Sequence, residues 1–514
     1  MKSVLIIGDH SLKKSIKKQY ASLGVDNIAE CDFDTLKFSD VKSVDEFVIL
    51  TSSQADDAID ADNSAMELLQ TLAKSYSHPE RLRPIVHFLL QSQTSLWMLQ
   101  LMDMPSEVNE KFDVYPFTIE DVWAKNVLVQ LPGIKNDDYP VLDRISISKD
   151  SRSFVHVIID GFGIQAESMA VHTALTAHFP NYKSEDVQPL RTRITIIEDD
   201  IKPKRDTFVS KHQHLFDNSF YRTIDLKNHT VDFHRPMYDG RRADFVDVEW
   251  EFVDGSINNS EVRKKIESWA NDPNQQLTFF VCHDNEEQNL SESMALPRTI
   301  YEKEIPVMFK QSRKGLYEAL SCSVKYNNIH PFGMMDCGYD VTLPLVQLAK
   351  FLKYFYDCSY GNIGVPTELP ADQVEKAWRD EKSFKMRFSN IYNVMTMAVK
   401  MRSLGHDAED ADTFYALTQE EIEVLAETEH NRWCVERLMQ GTRPCTDDEI
   451  AEIRTDVKRL KKSYKKRDIH FDLRAFSELE EDGTGKNARV YDYDLTACIP
   501  LILKTYYEDN KHGK

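Results

Sequence analysis

The sequence predicts an α/β protein that turns mainly helical toward its C-terminus: tandem Rossmann-like, doubly wound domains followed by a helical domain. Three observations predict this. Short β-branched strands alternate with helix-length stretches through the first two thirds of the chain. A glycine turn, "IIDGFGIQAESMAVHTALTAHF" (Ile158–Phe179), joins one of those strands to a helix. After about Val341 the strand signals thin out and apolar residues recur at helical spacing. At 514 residues the chain is too long for one hydrophobic core, so several domains are expected.

In order, Val4–Ile7 reads as a strand, Lys13–Leu23 as a helix and Phe47–Leu50 as a strand. Met66–Ser75 is helical, Ile85–Leu90 and Asp113–Phe117 are extended, and Ile119–Val129 is helical. The first strand ends in "IIGDHSLKKS", with one glycine, Gly8, where a phosphate-cradling turn needs more than one. The unit over residues 1–138 is therefore expected to be structural and to serve homodimer or domain contacts. Lys13, Lys14, Lys17 and Lys18 offer either a phosphate contact or a solvated helix face, the latter preferred. "LPGIKNDDYP" (Leu131–Pro140) has a linker's composition.

The pattern then restarts over residues 139–340. Val155–Ile159 is a strand, Ser168–Thr176 a helix, Thr192–Asp200 a strand capped by acids, and Leu277–Cys282 and Ile305–Phe309 are later strands. "NNIHPFG" (Asn327–Gly333) and "DVYPFT" (Asp113–Thr118) each place a Pro-Phe pair late in a unit, which suggests a tandem repeat. Helical spacing governs Leu343–Tyr356, Gln373–Arg379, Ile391–Leu404 and Gln419–Gln440. This gives a connecting region at 341–410 and a last domain at 411–514.

The turn Gly161-Phe162-Gly163-Ile164-Gln165-Ala166 has the dinucleotide fingerprint with alanine third. The first glycine permits the tight turn, the second admits pyrophosphate to the backbone, and the small third residue lets helix and strand pack closely. Glu198, with Asp199 or Asp200 as substitutes, caps the following strand and would bind a ribose diol while repelling a 2′-phosphate. NAD or a related adenine nucleotide is the expected ligand. An empty, vestigial fold is the other reading, and Asp160 just before the turn, crowding a phosphate, favours it.

These segments, "VIIDGFGIQAESMAVHTALTAHFPN" and "RITIIEDD", resemble the nucleotide-binding domain of TrkA-type potassium-uptake regulators over roughly Phe154–Phe332. The resemblance implies a domain that binds NAD or another adenine nucleotide as a signal without a redox step. "AETEHNRWCVERLMQGTR" (Ala426–Arg443), "DIHFDLRAF" (Asp468–Phe476) and "YDYDLTACIPLIL" (Tyr491–Leu503) together resemble the RyR domain, the ryanodine-receptor repeat, over about Leu417–Tyr507. Thr442 stands where that family has tryptophan, and Thr446–Lys466 is a charged insertion. Chains joining the two domains form a bacterial family that this sequence is similar to. It implies a regulatory role, in ion transport or nucleotide-signalled defence, with an ion channel or other protein as partner.

On the Ala426–Arg443 helix, Ala426, His430, Trp433 and Arg437 share a face. They are either the core of a helical domain or, with Tyr491 and Asp494, a second ligand site. Arg454–Arg467 holds eight basic residues and one acid, suiting a phosphate, an acidic partner or a solvated helix.

Composition excludes several classes. A net charge of −21 argues against general nucleic-acid binding. No apolar run reaches the roughly 20 residues of a membrane span; Pro84–Met104 is interrupted by His87, Gln91, Ser92, Gln93 and Gln100. The N-terminus lacks a signal-peptide pattern, so a cytoplasmic location is expected. Eight cysteines without a C-x-x-C pair suit reduced, buried thiols, and no metal-ligand spacing is present; His212 and His214 are two apart. His172, His178, His212 and His214 sit in no catalytic motif, and H-E-x-x-H, G-x-S-x-G and P-loop patterns are absent. A nucleotide-responsive regulator is the preferred reading. A NAD-dependent oxidoreductase or nucleotide-modifying enzyme, and a non-catalytic scaffold, are the alternatives.

Overall fold

The computed structural model describes residues 2–36, 41, 44–51, 57–76, 83–129, 141–186, 188–236, 244–313, 323–335, 338–360, 366–406 and 416–511. The expected linker at Leu131–Pro140 lies outside these, apart from the position of its neighbours, as does the expected boundary near residue 411.

Five parallel strands form the first sheet: β1 (Ser3–Ile7), β2 (Asn27–Cys31), β3 (Glu46–Ile49), β4 (Ile85–Leu89) and β5 (Asp113–Phe117), in the order β2-β1-β3-β4-β5. Eight strands form the second: β6 (Phe154–Asp160), β7 (Thr192–Glu198), β8 (Phe220–Asp225), β9 (Thr230–His234), β10 (Val248–Asp254), β11 (Gln275–Val281), β12 (Val307–Lys310) and β13 (Ile329–Phe332). Their order is β13-β12-β11-β6-β7-β10-β8-β9, parallel except for β9 against β8. Without the β8–β9 hairpin this is the order of a dinucleotide-binding sheet, with the direction of winding reversing between β6 and β11. The first sheet has the related order of the flavodoxin type. Both are Rossmann-like sheets, buried on two faces, which is why their inner strands read as unbroken apolar runs.

Three parts of the sheets were hidden from the sequence. β2 is an edge strand with no fully buried residue, so it carries no apolar run. The β8–β9 hairpin is likewise a peripheral addition, with β9 largely exposed. β10 is central but reads "VEWEFVD": its glutamates look like surface residues, yet Glu251 is buried against Arg222 and Thr195, and Glu249 meets Arg193 at 2.6 Å. The two Pro-Phe pairs fall on β5 and β13, each the outermost strand of its sheet, where a proline's missing N–H is tolerated.

From Pro344 onward the longer elements are helices. The expected helix at Ile391–Leu404 is instead two, Phe384–Met395 and Met397–Ser403, separated at Thr396, whose hydroxyl donates to the Asn393 carbonyl. Gln419–Met439 begins at a capping box between Thr418 and Glu421. One apolar cluster runs continuously from Leu5 to Tyr506, through both sheets and the C-terminal helices. Between the sheets, the helix Ile119–Leu128 packs on the helix Ile164–Thr176. There Asp121 accepts from Lys125 and lies 2.7 Å from His172 Nε2. Burial alone would raise the Asp121 carboxyl, but Lys125 and His172 outweigh it and hold it well below the usual range. Among the described residues no helix is long and apolar enough to cross a membrane.

Candidate functional site

Most of the residues singled out in the sequence gather at two places, while Lys13, Lys14, Lys17 and Lys18 line a separate hollow with Glu30 on the first sheet. The first is the crevice at the carboxyl ends of β6 and β11, where the winding direction reverses. Gly161 adopts φ +94°, and a Cβ there would lie 2.9 Å from His283 Nδ1. Gly163 caps the helix Ile164–Thr176, and a Cβ on it would meet Asp284 Oδ1 at 3.2 Å. Ala166 is fully buried, Phe162 packs against Phe208 and Phe252, and Gln165 reaches the Glu120 carbonyl across the inter-sheet contact. Ile164 faces solvent. Glu198 stands at the turn, as its register implies: it accepts from the Phe162 N–H at 2.6 Å and pairs with Lys204 at 3.1 Å. Asp199 beside it is exposed. The crevice is strongly acidic, with Asp160, Glu198, Asp199, Asp284 and Glu292 around one turn.

Within that crevice the structure forms a cluster that no sequence spacing reveals, because its members lie 123 and 132 positions along from Asp160 in a different βα unit. Asp160, His283 and Glu292 each present one ligand-type atom, all within 4.8 Å of one another. Burial pushes the Asp160 carboxyl up; the same burial disfavours a charged His283, but the two carboxylates it faces raise it.

The corresponding turn of the first sheet is different. Gly8 is at φ +100°, and a Cβ there would lie 2.1 Å from the Leu50 carbonyl oxygen, so its glycine serves close strand packing. Glu30 pairs with Lys13 and Lys17 nearby, while Lys14 and Lys18 are solvated.

The second recess, about 550 Å³, lies among the C-terminal helices. It brings together His430, Trp433, Arg437 and Tyr491 with Tyr356, Tyr360, His470 and the lysines of the basic helix, Lys458, Lys461, Lys462 and Lys465. That helix, Val457–Lys465, belongs to the charged insertion and supplies one wall. The Trp433 ring lies 4.9 Å from His470 and 5.7 Å from the Arg437 guanidinium; Tyr356, Tyr360 and Tyr491 form a second aromatic group with centroids 5.8–6.5 Å apart. Asp494 is not part of the wall and accepts from the Ser359 hydroxyl. The wall acids are all engaged: Glu429 by Lys400 and Arg432, Asp472 by Lys461, Asp482 by Tyr491, and Asp492 by His430.

The cations are not all answered in return. Arg437 is buried and donates to Gln440 Oε1 at 3.2 Å and to the Ser389 hydroxyl at 3.5 Å, but its nearest carboxylate among the described residues is Glu436 at 4.0 Å. Lys458, Lys462 and Lys465 are exposed and have no ion-pair partner among the described residues. Desolvation, then repulsion from Arg437 and Lys385, lowers the Lys465 ammonium, and burial lowers Arg437. Burial pushes His470 down to about 3; Lys465 and Arg437 add to that, against Asp472. His430 is a satisfied, buried residue: Nε2 donates to the Arg474 carbonyl at 2.8 Å and Nδ1 faces Asp492 at 3.2 Å. Trp433 is half-buried on the cavity wall, with the Arg437 guanidinium over its ring.

A third space, about 810 Å³, lies where β5, β13 and the helices Pro344–Tyr360 and Phe384–Met395 meet, and is mostly apolar, with Tyr115, Phe117, Trp123, Phe332, Tyr339 and Trp378 on its wall. Its wall comes from four distant segments, so no local pattern marks it. No protein-family model matches the chain, and no curated protein matches it.

Proposed function

We propose that this chain is a nucleotide-responsive regulatory protein whose C-terminal cavity takes a phosphate-bearing aromatic ligand. The observation that carries this reading is a group of cations with no close carboxylate, the buried Arg437 and the exposed Lys458, Lys462 and Lys465, lining one cavity with Trp433 and the tyrosines. Arg437 and Lys465 repel one another across the recess, and an anionic ligand relieves that cost. An aromatic base adds a stacking partner for the rings on the cavity wall. The similarity of the signature helix to RyR domains and of the glycine turn to TrkA-type domains supports a regulatory role, in ion transport or nucleotide-signalled defence, acting on an ion channel or other protein.

A second input, NAD(H) or a related adenine nucleotide at the glycine turn, is favoured by the turn's place at the reversal point of its sheet, although Glu198 already holds the Phe162 N–H. Calorimetry with a panel of adenine and guanine mono- and dinucleotides tests the reading. Binding that Arg437→Gln abolishes supports the cavity; absence of any nucleotide binding to the wild type sinks the proposal.

A further inference from the structure

We propose that Asp160, His283 and Glu292 form a binding site for a divalent transition-metal ion of the manganese or zinc type. The first ground is convergence. His283 Nε2 lies 3.3 Å from Asp160 Oδ2 and 2.7 Å from Glu292 Oε2. An ion bonded to nitrogen and oxygen at about 2.0–2.2 Å holds adjacent ligand atoms about 3 Å apart, and the two distances bracket that. The second ground is what these atoms do otherwise. Apart from those two contacts with one another, none of the three atoms has a hydrogen-bond partner, although Asp160 is only 2% exposed and Glu292 7%. One imidazole nitrogen carries at most one proton and cannot satisfy two buried carboxylate oxygens, so a cation at the point all three face completes what the chain leaves short.

The surroundings hold the ligands in place as a metal's outer shell does. The second oxygen of Glu292 accepts from Asn258 and from Gln288, both at 3.2 Å. Asn289, fully buried, fixes the His283 backbone from both sides: its Oδ1 accepts the His283 N–H at 2.8 Å and its Nδ2 donates to the His283 carbonyl at 2.9 Å. Asp160 ends β6 and is paired in register with Val281 of β11, two residues before His283. Glu292 sits on the helix Glu286–Ala295. Three rigid elements therefore meet at the ligand atoms.

The donor set selects the ion. Two carboxylates and a neutral imidazole balance a divalent charge. The imidazole favours manganese, iron or zinc over magnesium or calcium, which prefer all-oxygen shells. Three protein ligands leave coordination positions open. They adjoin the acidic glycine turn, where a cation would offset Asp160 for an incoming anion, but the metal site stands without that ligand.

The test uses the untagged full chain, with Co²⁺ and Mn²⁺ as probes. We expect one Co²⁺ per chain with visible d–d absorption displaced by Zn²⁺, and pulsed EPR of bound Mn²⁺ showing coupling to an imidazole nitrogen. His283→Ala should remove the nitrogen coupling and weaken binding at least tenfold. Glu292→Gln keeps the side chain's shape and its Oε1 contacts on a helix edge; it should fold as the wild type does by circular dichroism and also lose at least tenfold. A wild type with no imidazole-coordinated metal overturns the proposal. So does either folded variant that binds as tightly as the wild type, since the ion would then be held elsewhere on this acidic surface.

Discussion

The two recesses contrast in how their charge is answered. At the glycine turn the chain supplies its own contacts: Glu198 takes the Phe162 N–H, His283 packs over Gly161, and the charge that remains is negative. In the C-terminal cavity every wall acid has a partner while several cations do not. A motif in sequence reports backbone geometry, which here is present; unanswered charge reports the sign of a missing ligand, and only the second recess has the sign a phosphate needs. The same contrast recurs within one helix. Arg432 is fully buried between Glu429, at 2.8 and 2.9 Å, and Glu436, at 2.7 Å, with Lys400 completing the network. Arg437, five residues on, has no such cradle.

The largest expected effect breaks that comparison on its structural side. Glu429→Ala strands Arg432 and Lys400 in the core and should cost about 3–5 kcal/mol, as breaking a buried ion pair does. Arg437→Gln should leave the melting temperature unchanged or raise it, because it removes a charge with little compensation. Thermal melts of the two variants side by side decide. If Arg437→Gln is as destabilising as Glu429→Ala, Arg437 is a structural cation and the cavity loses its case.

Next in size is the ligand effect itself. A nucleotide at a hundredfold excess over its Kd should stabilise the chain by about 2.7 kcal/mol. Arg437→Gln should erase that stabilisation for a cavity ligand and Gly163→Asp should erase it for a ligand at the turn, where the new carboxylate would also face Asp284. One nucleotide shifted by neither variant would place binding outside both recesses. Trp433→Ala should follow with a loss of about 1–3 kcal/mol in affinity for a ligand carrying a base, and no loss for inorganic phosphate. Equal losses for both would mean the ring supports the fold and stacks on nothing.

What was legible in the sequence follows from the range of the signals. The parallel strands β1, β3, β4, β6, β7 and β11 were readable because burial on two faces makes each a local apolar run. The glycine turn and the Gln419–Met439 helix were readable because turn and cap chemistry lie within a few residues. β10 was not, because its glutamates are paired by arginines on neighbouring strands. His283 and Glu292 were not, because only the sheet order brings them to Asp160. Of the C-terminal residues, His430, Trp433, Arg437 and Tyr491 reach one cavity, whereas Asp494 is turned toward Ser359; an i, i+4 pattern fixes a helix face but not what packs on it. Tyr356 and Tyr360 carry a weak local signal, one helical turn apart on their helix.

The smallest expected effect concerns how the basic wall is held. Glu449 accepts from Arg443 at 2.7 and 2.8 Å and closes a capping box with Thr446, so it anchors the segment that leads into the helix of Lys458–Lys465. The Arg443 hydrogen bonds lower its carboxyl to about 2, burial opposing and the Thr446 N–H assisting. A carboxyl depressed in the folded state stabilises above its unfolded value, near the ordinary 4.5, and that contribution is lost as pH falls toward 2. Because the pair is partly solvated, its contribution at neutral pH should be below about 1 kcal/mol. Glu449→Gln should therefore melt slightly below the wild type at pH 6, with the gap narrowing below pH 4.5 and closing near pH 2. A gap that is constant with pH would show that shape and capping, not charge, hold this wall of the cavity.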